Sequence, residues 1–256
     1  MNILFQKQFS SLIRFVKPSD DHTVICLEQI SESLPSPQYH VVDLQSFTLN
    51  AENISVKNSK TLVLKSITSS HLILNEYHNG KNPDHATAMV YDYKRKIIEW
   101  EKENFRILEI NGEVIKSPHQ HFENRFSYWN VKTGQIIDEP ATTNLKSNKT
   151  ESFPLLYPEN SEHFGSFSKF INEKTGHVPA ICCEYLEVEK LMILSYYFFE
   201  NKTLTNVLLI ANSDGEILDT INLGENLKGI GKDTFFVLEN KLVFISNKNT
   251  LNIYEV

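Results

Sequence analysis

Short apolar runs broken by compact polar turns recur along the whole chain, with runs of about four to eight residues, the length of a strand. Asn2 to Phe9 alternates apolar and polar side chains, as a strand with one buried face does. Ala88-Met89-Val90-Tyr91 and Val207-Leu208-Leu209-Ile210 are apolar throughout and read as buried strands. Such runs end in an acidic or amide residue and then a polar turn: Lys132-Thr133-Gly134 after Asn130, Ser213-Asp214-Gly215 after Asn212. A second apolar run follows, Ile136-Ile137 or Ile217-Leu218. Asp and Asn suit the turn entrance because their side chains accept bonds from the backbone two residues on, and Gly supplies positive φ. Each unit therefore predicts a β-hairpin.

The hairpins keep a rhythm. Val42-Asp43, Tyr91-Asp92, Trp129-Asn130, Ile171-Asn172, Ala211-Asn212 and Tyr254-Glu255 mark it, at intervals of 38 to 49 residues. Two further strand candidates precede a hairpin, such as Thr61 to Ser66 and His71 to Tyr77, or Thr234 to Leu238 and Lys241 to Ser246. Four strands in about 40–45 residues make one blade of a β-propeller, so the fold class is all-β, in a single domain over residues 1–256. The last repeat ends at Val256 after three strands; Ile3 to Phe9 as its outer strand closes the ring and covers two loose edges. Between Thr150 and Pro179 the strand signal gives way to Phe164, Phe167, Phe170 and Ile171 at helical spacing. Ser161 is the expected N-cap and Gly176 the expected C-terminal stop of a short helix inserted near 161–174. In that case Asn172 is a false mark and the blades number five; six is the alternative.

The marks resemble the tryptophan-aspartate pair that ends the third strand of WD-type propeller repeats, Trp129-Asn130 most and Tyr91-Asp92 next. The resemblance covers the chain in rhythm, without the Gly-His pair of that family, and implies the architecture alone. The chain is also similar to bacterial propeller-type proteins with no assigned activity.

Composition narrows the function classes. A net charge of -7 over 256 residues, with acidic and basic residues interspersed, leaves no electrostatic footprint for nucleic acid. Lys7, Arg14 and Lys17 break every early apolar run, and no run approaches a membrane span, so neither a leader nor a membrane partner is expected. A cytoplasmic location is the expectation. Cys26, Cys182 and Cys183 are odd in number and two are adjacent, which predicts buried thiols.

Two constellations could carry chemistry. Pro37-Gln38-Tyr39-His40, Pro83-Asp84-His85 and Pro118-His119-Gln120-His121 are similar phrases in second-to-third strand connections, which share one face in an up-and-down propeller. His40, His85, His119 and His121, with Glu123, are thus candidates for ligand binding; no metal is expected, with His119, His121 and His85 as the alternative metal set. Plain polar loop residues are the competing explanation. The second constellation is Tyr157, Glu159 and His163 at the inserted helix, with Glu184, Tyr185, Tyr196 and Tyr197 on the following strands; here the competing explanation is a helix simply packed by its phenylalanines. Gly224 to Gly229 has the glycine spacing of a phosphate loop but lacks its Lys and Ser/Thr, and reads as a blade-to-blade turn. The expected function is a non-catalytic binding module for a protein or small-molecule ligand, with no cofactor identified. The alternative is a hydrolase- or lyase-type enzyme using the histidine face, with or without a metal.

Overall fold

The computed structural model describes residues 1–78, 86–119, 122, 124–140 and 151–256. Among them are five antiparallel sheets and one helix: an all-β propeller of five blades with a single helical insertion. The chain divides into two compact units, Ser11–Lys149 and Met1–Ser10 with Thr150–Val256. The first strand, β1 (Asn2–Gln8), belongs to the latter.

Ser11–Lys149 holds three four-stranded blades in up-and-down order. The first is β2 (Leu12–Pro18), β3 (Val24–Ile30), β4 (Gln38–Asp43) and β5 (Thr48–Ile54). The second is β6 (Leu62–Ile67), β7 (His71–Tyr77), β8 (Ala86–Asp92) and β9 (Ile97–Lys102). The third is β10 (Glu109–Asn111), β11 (Val114–Pro118), β12 (Phe126–Asn130) and β13 (Ile136–Ile137). Strand β8 is buried at every residue because its two faces meet different blades. Met89 and Tyr91 pack with Cys26, Tyr39 and Val41 of the first blade, whereas Ala88 and Val90 pack with Ile115 and Trp129 of the third. Each fully buried aliphatic contributes roughly 1.5–3 kcal/mol, so the continuous apolar runs are what hold blade to blade. The outer strand β5 instead alternates exposed and half-buried positions from Thr48 to Glu52 before ending on the buried Ile54.

The repeat marks work as the turn chemistry requires. Asp43 Oδ1 accepts from the N–H groups of Gln45 and Ser46, Asp92 Oδ1 from those of Lys94 and Arg95, and Asn130 Oδ1 from that of Thr133. Gly134 then takes φ +60°.

The other unit holds β14 (Glu151–Ser152), β15 (Leu155–Pro158), α1 (Phe164–Thr175), β16 (Pro179–Val188), β17 (Leu191–Glu200), β18 (Thr203–Asn212), β19 (Ile217–Leu227), β20 (Phe235–Leu238), β21 (Lys241–Ser246) and β22 (Thr250–Glu255). Strands β15 to β19 form the fourth blade; the fifth has the order β1-β22-β21-β20-β14, with Asn2 opposite Glu255 and Gln8 opposite Thr250. The first strand therefore completes the last blade, as the alternation at Asn2 to Phe9 predicts. On one face of the fourth blade Ile193, Leu208 and Ile210 meet Phe235, Leu242 and Phe244 of the fifth. On the other, Leu194, Tyr196, Val207 and Leu209 are covered by Phe164 and Ile171 of α1.

The helix explains the broken rhythm. Asn172 lies within α1, so it is a false mark and the blade count is five. Gly176 ends the helix at φ 77°, as expected. Ser161 is not the N-cap: the helix starts after His163, itself in right-handed helical conformation, and Ser161 Oγ makes no capping bond. Gly224 is not a turn residue either. Strand β19 runs through it to Leu227, with register shifts where Asn206 pairs with Gly224, and a glycine inside a strand marks such a bulge.

Candidate functional site

The two predicted constellations fare differently. His40 lies inside β4, buried, with its Nε2 2.7 Å from Gln29 Oε1, so it fastens two strands of the first blade and does not project from a connecting loop. His119 follows β11; its N–H donates to the Arg125 carbonyl and its ring lies 4.9 Å from that of Phe122. His85, His121 and Glu123 lie outside the described residues. Among the described residues, the metal-type ligands that do converge are His71, Asp92 and Glu99.

The second constellation is brought together in part. Tyr157 on β15 stands opposite Cys183. Its ring meets those of His163, at 5.9 Å, and Phe167, at 4.9 Å. The strand alternation splits the four residues expected beneath the helix. Tyr185 and Tyr196 face α1, Tyr185 against Phe167 and Tyr196 within the core under the helix. Glu184 and Tyr197 face the other way. Glu184 accepts from the N–H groups of Asp233 and Thr234, and Tyr197 Oη accepts from the Gly231 N–H, so both serve the joint with the fifth blade. Burial pushes the Glu184 carboxyl up against the opposing pull of those hydrogen bonds. The helix itself is packed by Phe164 and Ile171, with Phe167 and Phe170 half-buried.

Glu159 leads to the most unusual backbone in this blade. Its N–H donates to the Ile181 carbonyl at 2.8 Å, and its Oε2 accepts from the Ile181 N–H at 3.3 Å. Between these bonds Ile181 is held at φ 71°, where β16 bulges between Ala180 and Cys183. A β-branched residue in the left-handed region is strained by about 1–2 kcal/mol, and such strain persists only where the surroundings over-determine it. Sequence reasoning missed Ile181, because an isoleucine in an apolar run signals nothing but a strand.

Ile181 is the wall of a groove of about 360 Å³, lined also by Phe199, Leu204, Leu227, Lys202 and Lys228. The β17–β18 hairpin builds one side: Asn201 and Lys202 both take positive φ in a two-residue turn. Phe199 is left 59% exposed. Among the described residues no carboxylate lines the groove, so an apolar floor is flanked by two ammonium groups. A larger recess of about 510 Å³ in the other unit is walled by Asn50, Glu52, Asn53, Tyr93, Lys94 and neighbours, with mixed charge. The three thiols are poor nucleophiles: all are buried, which pushes Cys182 to about 11 and Cys183 to about 12.

No protein-family model and no curated protein matches the sequence. Solved structures do. The β-propeller domain of the Trilobed protease from Pyrococcus furiosus is similar over 94% of this chain and 80% of its own, at 12% identity and TM-score 0.33. Hsv2 of Kluyvelomyces marxianus is similar over 96% of this chain and 73% of its own, at 10% identity and TM-score 0.30. The Dos1 propeller is similar over 98% and 73%, at 12% identity and TM-score 0.21. These likenesses concern the fold alone.

Proposed function

We propose that the protein is a binding module without catalytic activity, and that the groove beside Ile181 takes a small ligand with an apolar body and an anionic end. The observation that carries this reading is Ile181 itself. Its strained backbone is fixed by the reciprocal bonds to Glu159, and an outlier of this kind at a concave surface points to use of that surface. Chemistry supplies the ligand class: Phe199, Leu204 and Leu227 offer apolar contact, and Lys202 and Lys228 offer charge. The volume of about 360 Å³ suits a small molecule or the tip of an acidic peptide. Glu159 acts as a positioning residue for Ile181, and Tyr157 and His163 brace the segment that carries it. An enzyme built on the histidine face draws less support, since His40 is committed to Gln29 within its blade.

The aromatic sulfonate 8-anilinonaphthalene-1-sulfonate combines the two ligand features and reports its own burial by fluorescence. Saturable binding to the native protein is expected, weakened at least tenfold in the Lys202→Glu/Lys228→Glu double variant and in Phe199→Ser. Binding that is absent, or unchanged in both variants, would end this assignment.

A further inference from the structure

We infer that His71, Asp92 and Glu99 form a site for a first-row divalent cation, zinc fitting best, which Arg95 occupies as a resident cation until the metal displaces it. The site lies at one end of the second blade. His71 opens β7 and stands directly opposite Asp92, the last residue of β8. Glu99 is the extra residue of a β-bulge, between Trp100 opposite Val90 and Ile98 opposite Tyr91. Bulges re-aim a side chain, and this one brings Glu99 Oε1 to 3.8 Å from His71 Nε2. Asp92 Oδ2 is 3.9 Å from the same nitrogen. The three ligand atoms lie within 4.8 Å of one another.

Each feature matches what a metal needs. Tetrahedral zinc with bonds of about 2.0–2.1 Å separates its ligand atoms by about 3.4 Å, so closing around an ion shortens the two imidazole–carboxylate distances by about half an ångström and the carboxylate–carboxylate distance by at most about 1.4 Å. One imidazole nitrogen with two carboxylate oxygens is a donor set for zinc, manganese or iron, and leaves a position for water. His71 Nδ1 is 2.8 Å from Ser70 Oγ, the outer-shell bond that fixes a ligating imidazole with its other nitrogen facing the metal. That other nitrogen, Nε2, has no hydrogen-bond partner although the side chain is 4% exposed. A buried imidazole nitrogen aimed at two carboxylates beyond hydrogen-bond reach has an unmet need. The same distances argue against a serine-histidine-carboxylate triad, in which the carboxylate must bond the ring to orient it.

Arg95 is the present counter-charge. Its Nε lies 2.7 Å from Asp92 Oδ2, and its guanidinium also pairs with Glu99. It brings one positive charge to two carboxylates, and at 61% exposure its side chain is free to swing into solvent. A divalent ion neutralises both carboxylates and satisfies His71 as well. Competition between the two cations is the signature that a merely structural cluster would lack.

The test uses the untagged full chain, stripped with chelator and desalted, titrated with Zn2+ by calorimetry and with Co2+ by visible absorption. Expected are one zinc site, cobalt d–d bands, at least tenfold tighter zinc binding in Arg95→Met and at least tenfold weaker binding in Glu99→Gln. His71→Ala should abolish the bands; because His71 is buried, Glu99→Gln on the more accessible strand keeps the test independent of folding. The inference is overturned if neither the native chain nor Arg95→Met binds zinc. It is equally overturned if binding survives Glu99→Gln and is lost in His119→Ala/His121→Ala, which would move the metal to the histidine-bearing connection.

Discussion

Gly134 follows the turn that closes the third blade's outer hairpin, and its replacement by alanine tests how tightly the second and third blades are fitted. A Cβ there would stand 2.7 Å from Cγ, 2.8 Å from Cδ1 and 2.9 Å from Cδ2 of Trp100. Ordinary carbon contacts are about 3.5–4.0 Å, so three atoms of a rigid ring would have to retreat together by most of an ångström. The ring is not free to do so. Its Nε1–H donates to the Val131 carbonyl at 2.6 Å, and its edge meets Phe105 at 6.0 Å between centroids. Overpacking of this kind costs about 1–3 kcal/mol. The φ of +60° adds the left-handed penalty of about 1–2 kcal/mol. Gly134→Ala should therefore destabilise by about 2–5 kcal/mol, read as a midpoint shift in urea followed by circular dichroism. Trp100→Ala removes the clash but leaves the backbone penalty, so in that background Gly134→Ala should cost only about 1–2 kcal/mol. A double-mutant cycle with coupling below about 0.5 kcal/mol would show that the ring yields freely and that the contact argument fails.

Relief of strain makes Ile181→Gly nearly neutral: about 1–2 kcal/mol regained from the backbone offsets the burial lost by a side chain already 36% exposed. Ile193→Ala, fully buried, should cost about 2–5 kcal/mol in the same urea assay; equal losses would refute the strain argument. Asp43 is held below the usual carboxylate range, chiefly by the Ser46 N–H and also by Gln45 and Asn50. A depressed carboxyl contributes stability above its unfolded pKa and loses it as pH falls through the folded one. Asp43→Ala should thus cost about 1 kcal/mol at pH 7 and progressively less below about pH 4, and a cost independent of pH would contradict this. Ellman's reagent should find no fast-reacting thiol in the native protein and three after denaturation, since Cys26, Cys182 and Cys183 are all buried; a rapid native reaction would show that one of them is reachable.

Fold was far more legible in the sequence than site. Asp43, Asp92, Asn130 and Asn212 could be read because hairpin turns impose local chemistry, and the structure uses each as a backbone cap. The helix was legible from Phe164 and Ile171, whose burial sets its spacing. Its start was not, since Ser161 has the right chemistry but stands two residues before the helical backbone begins. Gly224 misled because glycine serves a turn and a bulge equally, and only strand pairing separates them. Of the candidate site residues, Tyr157 and His163 are in ring contact beside α1, whereas Glu159 bonds the backbone of Ile181 instead. His40 does not reach a loop, because its connection ends at Ser36 and Pro37 and β4 has begun by Gln38. Ile181 and the bulge at Glu99 left no trace in the letters at all: register is a long-range property, set by what each strand finds opposite it.

The pairing of β1 with β22 joins residues as far as 253 positions apart. During synthesis the first strand therefore emerges with no partner, and it stays an open edge until nearly the whole chain has followed. Every other strand of its sheet lies within Glu151–Glu255, so this blade alone spans the full length of the chain. Loop-closure entropy makes so distant a contact slow to form. The exposed Ile3 on that strand is then a surface a nascent chain needs to keep from other strands, and Lys7 on the same strand is the kind of edge charge that does so.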